Sequence, residues 1–223
     1  MGWPRYGSGP RLTPSVRRVG LLGGSFNPAH RAHRRVTLAA IRALGLDEAW
    51  WLVSPGNPLK AGAIDMAPFA ARLASARAMA RRAPIRATAI EARLGTRYTA
   101  DTIRKIRRRY PRMRFVWLMG ADNLAQFHRW RDWRGIARSI PIAVIARPGY
   151  DGAAVAGPAM AWLRRYRRRT ATARHWTMWS LPALVLLRFR PDPTSATAVR
   201  AADPDWHTRP DRQPQGFGHH LRS

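Results

Sequence analysis

Residues Arg18–Val36 read RVGLLGGSFNPAHRAHRRV. A short apolar strand, Val19–Leu22, runs into two glycines, the loop residues Ser25 and Phe26, an Asn-Pro turn and a helical pattern that carries two histidines. A strand feeding a helix start through glycine leaves few architectures open. Gly23 and Gly24 let backbone approach an anion closely. The first turn of the following helix offers unpaired N–H groups and the positive end of its dipole. His30 and His33 are spaced to share one helix face. Two imidazoles aimed at a phosphate pocket point to chemistry on a nucleotide. The glycines fit neither the GxGxxG nor the GxxxxGK[ST] spacing.

The rest of the chain alternates in the same way. Apolar runs at Ala49–Val53, Ile85–Ala89, Phe115–Met119, Pro141–Ala146 and Ala183–Leu187 read as strands. Helical patterns fall on His30–Leu44 (stopped by Gly45), Pro68–Ala83, Ala100–Tyr110, Asp122–Phe127, Trp133–Ser139 and Ala159–Arg169. This order predicts an α/β, Rossmann-like, doubly wound parallel sheet with helices on both faces, in a single domain. The loops after Leu22, Val53, Met119 and Ala146 then converge beyond the strand ends, where ligands bind in such sheets. Residues 1–17 read as a basic N-terminal extension, 18–201 as the domain, and 202–223 as a tail expected to be mobile. Residues 151–182 carry no recognisable motif.

The chain has 223 residues, no cysteine and a formal charge of +28. Lacking cysteine, it has no disulfide or thiolate metal site, which fits a cytoplasmic setting. No apolar run is long enough for a membrane span. Of 40 basic residues only Lys60 and Lys105 are lysine, and the arginines are scattered among many alanines. That reads as compositional bias more than as a recognition surface. Salt-sensitive binding to polyanions is expected, specific nucleic-acid binding is not.

The segment GGSFNPAHRAH resembles the (T/H)xGH signature of the nucleotidyltransferase superfamily, in the form found in nicotinate-nucleotide adenylyltransferases. Three further blocks are similar. MGADNLAQFHRW supplies Asp122, suited to sugar hydroxyls, and Trp130, whose counterpart stacks on a pyridine ring. YTADT supplies Tyr98 and Thr99, where the family's backbone amides hold the nicotinate carboxylate. TSATAVR supplies Ser195, Thr197 and Arg200, for the triphosphate. Lys60 in SPGNPLK and Arg147 in ARPGY resemble phosphate and substrate contacts. Two positions depart from the pattern: Ala32 replaces a glycine and Ala196 a serine.

The resemblance implies adenylyl transfer from ATP to nicotinate mononucleotide, with Mg²⁺ arriving on ATP. His30 and His33 are then the catalytic pair, and Gly23, Gly24, Ser25 and Phe26 form the ATP loop with them. A homo-oligomer is compatible with it. Open alternatives are a relative using nicotinamide mononucleotide, phosphopantetheine or a cytidylyl-transfer substrate, a basic nucleic-acid-binding protein without turnover, and a degenerate paralogue.

Overall fold

Alternation of side chains along each apolar run lets one sheet carry two cores. In a computed structural model, which describes residues 16–56, 66–146, 156–189 and 194–208, seven strands form that sheet. They are β1 (Arg17–Gly24), β2 (Glu48–Val53), β3 (Ile85–Thr88), β4 (Met113–Gly120), β5 (Ile142–Ala146), β6 (Arg167–Arg168) and β7 (Leu184–Arg188). Their order is β3-β2-β1-β4-β5-β7-β6, and every pairing is parallel. The helices are α1 (Arg31–Leu44), α2 (Phe69–Ala80), α3 (Ile90–Leu94), α4 (Thr99–Arg109), α5 (Ala121–Gln126), α6 (Trp133–Ser139), α7 (Pro158–Leu163) and α8 (Ala196–Ala202).

Val19, Leu21, Trp50, Leu52, Phe115 and Trp117 face one core with Ile90, Ile103, Leu124, Ile136 and Met160 of α3–α7. Leu22, Trp51, Val53, Val116 and Leu118 face the other, against Ile41 of α1, Leu73 of α2 and Trp176. Helices on both faces satisfy the parallel sheet's need for cover. Connections run outward in opposite directions from β1 and β4, so the crevice opens between these two strands, at the C-terminal edge. Among the described residues no helix is long and apolar enough to cross a membrane.

The structure corrects several sequence expectations. β1 continues through Gly23 and Gly24, which pair with Leu52 and Val53, so the glycines end a strand and do not make a turn. What demands a glycine is space: a Cβ on Gly23 would come 2.9 Å from Trp117 Cη2. The chain turns one step later, at Phe26, whose φ of 48° is left-handed. His30 caps α1 instead of opening it, and Pro68 caps α2. The helix expected over Ala159–Arg169 ends at Leu163, gives a 3-10 turn (Arg164–Tyr166) and then the edge strand β6. The five-residue α3 was not anticipated. Gly45 stops α1 as expected, with φ 61°. In the stretch without a motif, Trp176 lies in a 3-10 segment (Thr170–Met178) and donates its Nε1–H to the Leu44 carbonyl at 3.1 Å.

Candidate active site

A cavity of about 520 Å³ lies at the crevice between β1 and β4. The ends of β1, β2, β4 and β5 meet there, through Gly23, Gly24, Ser54, Gly120 and Ile145. The loops after β1, β2 and β4 converge here as expected, and the loop after Ala146 lies outside the described residues.

One wall is built from the top of β1. Phe26 is 2% exposed and stacks on Trp51 with ring centroids 5.0 Å apart. Its left-handed backbone thus holds because the ring is anchored in the core. Ala29 N–H donates to Ser75 Oγ at 3.2 Å, and Ala67 N–H to Asn27 Oδ1 at 3.2 Å, which tie this loop to α2. The two histidine rings lie with centroids 3.8 Å apart, and both border the cavity. The backbone N–H of His30 donates to His33 Nδ1 at 3.2 Å. Nδ1 is thereby an acceptor, and in the neutral ring the proton sits on Nε2. Thr37 Oγ1 donates to the His33 carbonyl at 2.7 Å and receives Trp51 Nε1–H at 2.9 Å, fixing the turn that carries the ring.

Arg72 lies behind this wall and is 2% exposed. It donates to the carbonyls of Ala67 (2.9 Å), Ser25 (2.7 Å), Ser54 (2.7 Å) and Pro55 (3.3 Å). One guanidinium thus fastens the loop after β1 to the loop after β2. Burial lowers its pKa from the ordinary value, and the group stays charged.

The opposite wall comes from α3, the start of α4, α5 and the turn that follows it. Tyr98 caps α4 and Thr99 begins it, so a helix start faces the cavity here too. Asp122 stands in the first turn of α5. Trp130 packs edge-on against Trp117 at 6.2 Å and Phe127 at 5.4 Å, and borders the cavity. Four charged residues on this wall escaped the sequence reading, Glu91, Arg97, Arg129 and Arg131, as did Asn123 and Gln126. They flank or lie within the YTADT and Trp130 blocks, so proximity to those motifs was the available signal. Burial pushes the Glu91 carboxyl up to about 7, against a lowering by its hydrogen bond to Thr102.

The C-terminal block arrives as follows. Ser195 caps α8, its Oγ accepting the Ala198 N–H at 3.1 Å. Thr197 is exposed, and neither Ser195 nor Thr197 borders the cavity. Ala196 does, so its missing hydroxyl is missing from the wall itself. Arg200 donates to the Asn27 carbonyl at 2.7 Å, joining α8 to the histidine loop. Ala32 is buried and does not border the cavity. Lys60 and Arg147 lie outside the described residues.

Comparison with known proteins adds three findings. The cytidylyltransferase-like family model matches residues 21–202. A protein of Erythrobacter litoralis named "Probable nicotinate-nucleotide adenylyltransferase" is 67% identical over 192 residues, 86% of this chain and 87% of its own. One of the same name from Parvibaculum lavamentivorans is 52% identical over 189 residues, 85% of this chain and 93% of its own. The solved structure of Plasmodium falciparum nicotinic acid mononucleotide adenylyltransferase complexed with NaAD superposes with a TM-score of 0.59 at 16% identity, over 83% of each chain. The same Plasmodium enzyme complexed with APC gives 0.57 at 15% identity, again over 83% of each. At such identities the structural likeness speaks to the fold.

Proposed function

This chain belongs to the nicotinate-nucleotide adenylyltransferases of the cytidylyltransferase-like family, and on that premise we propose how its cavity does the work. The reaction is transfer of the adenylyl group of ATP to nicotinate mononucleotide. An oxygen of the acceptor phosphate attacks the α-phosphorus in line. The bond to the bridging oxygen breaks, and pyrophosphate leaves with the electron pair. The nucleophile is already an anion, so catalysis reduces to alignment and to neutralising phosphate charge.

The observation that carries this reading is one cavity bordered by His30, His33, Tyr98, Thr99, Trp130 and Ala196 together. His33, with its proton on Nε2, donates to the phosphates, and His30 beside it adds a second ring. The start of α1 supplies its dipole beneath them. Gly23 and Gly24 at the end of β1, with Ser25 and Phe26 in the loop that follows, lie along the triphosphate. Ser195, Thr197 and Arg200 stand behind the cavity wall that Ala196 forms, so a contact from them to pyrophosphate requires α8 to shift inward, with Arg200 exchanging its Asn27 carbonyl for a phosphate oxygen. Asp122 meets the ribose, Trp130 stacks on the pyridine, and Tyr98 and Thr99 receive its carboxylate at the start of α4. Lys60 and Arg147 complete the phosphate and acceptor contacts.

Among the described residues no three His, Cys, Asp or Glu side chains cluster to form a metal cage. Mg²⁺ is taken to arrive with ATP as part of the substrate, and a protein contact would come from a carboxylate such as Asp122. Residues 18–201 act as one catalytic domain.

The test is pyrophosphate release from ATP on adding nicotinate mononucleotide, with nicotinamide mononucleotide and phosphopantetheine as rival acceptors. His33→Ala is expected to lower kcat by roughly a hundredfold or more, the scale of losing one preorganised donor. Near-wild-type turnover with an intact fold would remove His33 from the mechanism. Faster turnover with a rival acceptor would reassign the substrate, and RNA retention without any turnover would point to a binding protein.

A further inference from the structure

Glu91 is 7% exposed, borders the cavity and has no basic partner among the described residues, in a chain with a formal charge of +28. Its neighbours are hydroxyls. Thr102 Oγ1 lies 3.2 Å from Glu91 Oε1, 2.8 Å from Thr96 Oγ1 and 3.2 Å from the Tyr98 carbonyl. Thr96 returns to Glu91, donating its N–H to the Glu91 carbonyl at 2.9 Å, with its hydroxyl 3.4 Å from the same oxygen. The ring of contacts closes on the residue where it starts, and encloses the turn that carries Tyr98 and Thr99.

Each hydroxyl has a single hydrogen. The hydrogens can run either way round this ring: Thr96 donating to Thr102 and Thr102 to Glu91 serves the carboxylate, while Thr102 donating to Thr96 leaves Thr102 to accept the proton of the neutral acid. The cluster therefore accommodates both protonation states of Glu91 by reversing two hydroxyls. The charged and titratable groups on the surrounding walls are Arg97 and Tyr98 ahead of α4, Asp122 on α5, Arg129 and Arg131 after it, and His30 and His33 at α1.

We propose that Glu91 is a specificity-determining residue of the acceptor end: held as a neutral acid it admits an anionic pyridine nucleotide, and once ionised it repels that anion. The inference rests on the acceptor assignment given above. Discrimination between acid and amide acceptors then depends on the proton occupancy of one side chain. On ionisation the proton passes to solvent, and binding the anionic acceptor takes it back.

Calorimetric titration of nicotinate mononucleotide into wild type and Glu91→Gln, at about pH 6 and about pH 8.5, tests this. The acceptor's phosphate titrates identically against both proteins, so their difference isolates Glu91. Wild type is expected to lose roughly tenfold more affinity than the variant across that interval, the scale of one like charge in a partly wet cavity. With nicotinamide mononucleotide the two proteins should differ little. A second measurement needs no substitution. In wild type near neutrality, buffers of different ionisation heat should reveal proton uptake with the acid that is absent with the amide. Identical pH profiles in both proteins, or equal proton uptake with both acceptors, overturn the role of Glu91 alone. Failure of wild type to bind the acid at any pH overturns the acceptor assignment and this role with it.

Discussion

A buried carboxyl without a cation leaves a mark on stability as well as on binding. Glu91 ionises at about 7 in the folded protein, against an ordinary value of 4.5. Between those values the unfolded chain has released the proton and the native one has kept it. The native state then binds more protons, so stability is full below the lower value and falls as pH rises to the upper one. The loss amounts to about 3 kcal/mol, complete above neutrality. Glu91→Gln removes the titration but keeps a polar group of the same shape. Its melting temperature should match wild type near pH 4 and exceed it at pH 8, by roughly 5–10 °C for a chain of this size. Parallel melting curves across that range would mean that Glu91 titrates at the same pH in the folded and unfolded chain. None of this was legible in the sequence. A glutamate in IEARLG, among arginines, reads as a solvated partner, and only the fold turns it inward over Thr102. His30 and His33 were legible because spacing alone puts them together. The αL twist at Phe26 was not, since no glycine marks it.

At the scale of the element, α2 organises the phosphate side from behind. Its Arg72 and Ser75 hold Ser25, Ala29, Ser54 and Pro55, residues that belong to two different strand-end loops. Arginine suits this place because its planar fork can serve several carbonyls at once, which a lysine ammonium does less well. Arg72→Lys should keep the charge yet loosen both loops. The expected result is a rise in the KM for ATP of roughly tenfold with a smaller change in kcat, since uniform binding is lost before transition-state contacts are. Arg72→Met, which leaves buried carbonyls without donors, should cost about 3 kcal/mol in denaturant unfolding. A lysine variant with unchanged KM and stability would show that the carbonyls need no common clamp. Why some elements were readable follows from their length and packing. Trp133–Ser139 was placed to the residue, because Ile136 and Ala137 face the core between polar neighbours. β6 is two residues of arginine at a sheet edge, and its pairing with β7 is tertiary, with no period to detect. Arg72 sits in an alanine-rich helix whose polar positions look like an outer face.

For the whole molecule the governing quantity is charge. Basic residues outnumber acidic ones 40 to 12, and the cavity repeats the imbalance, with Arg97, Arg129 and Arg131 against Asp122 and a carboxyl that burial pushes up to about 7. Both substrates are anions carrying phosphate. A positive field over the surface draws them in and focuses at a cleft with low-dielectric walls. The field's reach is set by salt: the screening length shrinks from about 30 Å at 0.01 M to about 3 Å at 1 M. Raising ionic strength should therefore lower kcat/KM for both substrates steeply while kcat at saturation stays nearly constant, because steering acts on encounter and not on the aligned complex. The same field makes RNA a non-specific competitor at low salt, with inhibition that disappears as counterions are restored. Arginine-to-glutamine changes on the far side of α4, at Arg107 and Arg108, separate the two contributions. They reduce the global field without touching the cavity. If those variants flatten the salt dependence of kcat/KM, the arginine excess speeds capture from a distance. If the dependence is unchanged, the local cations Arg97, Arg129 and Arg131 carry it, and the remaining charge has no part in catalysis.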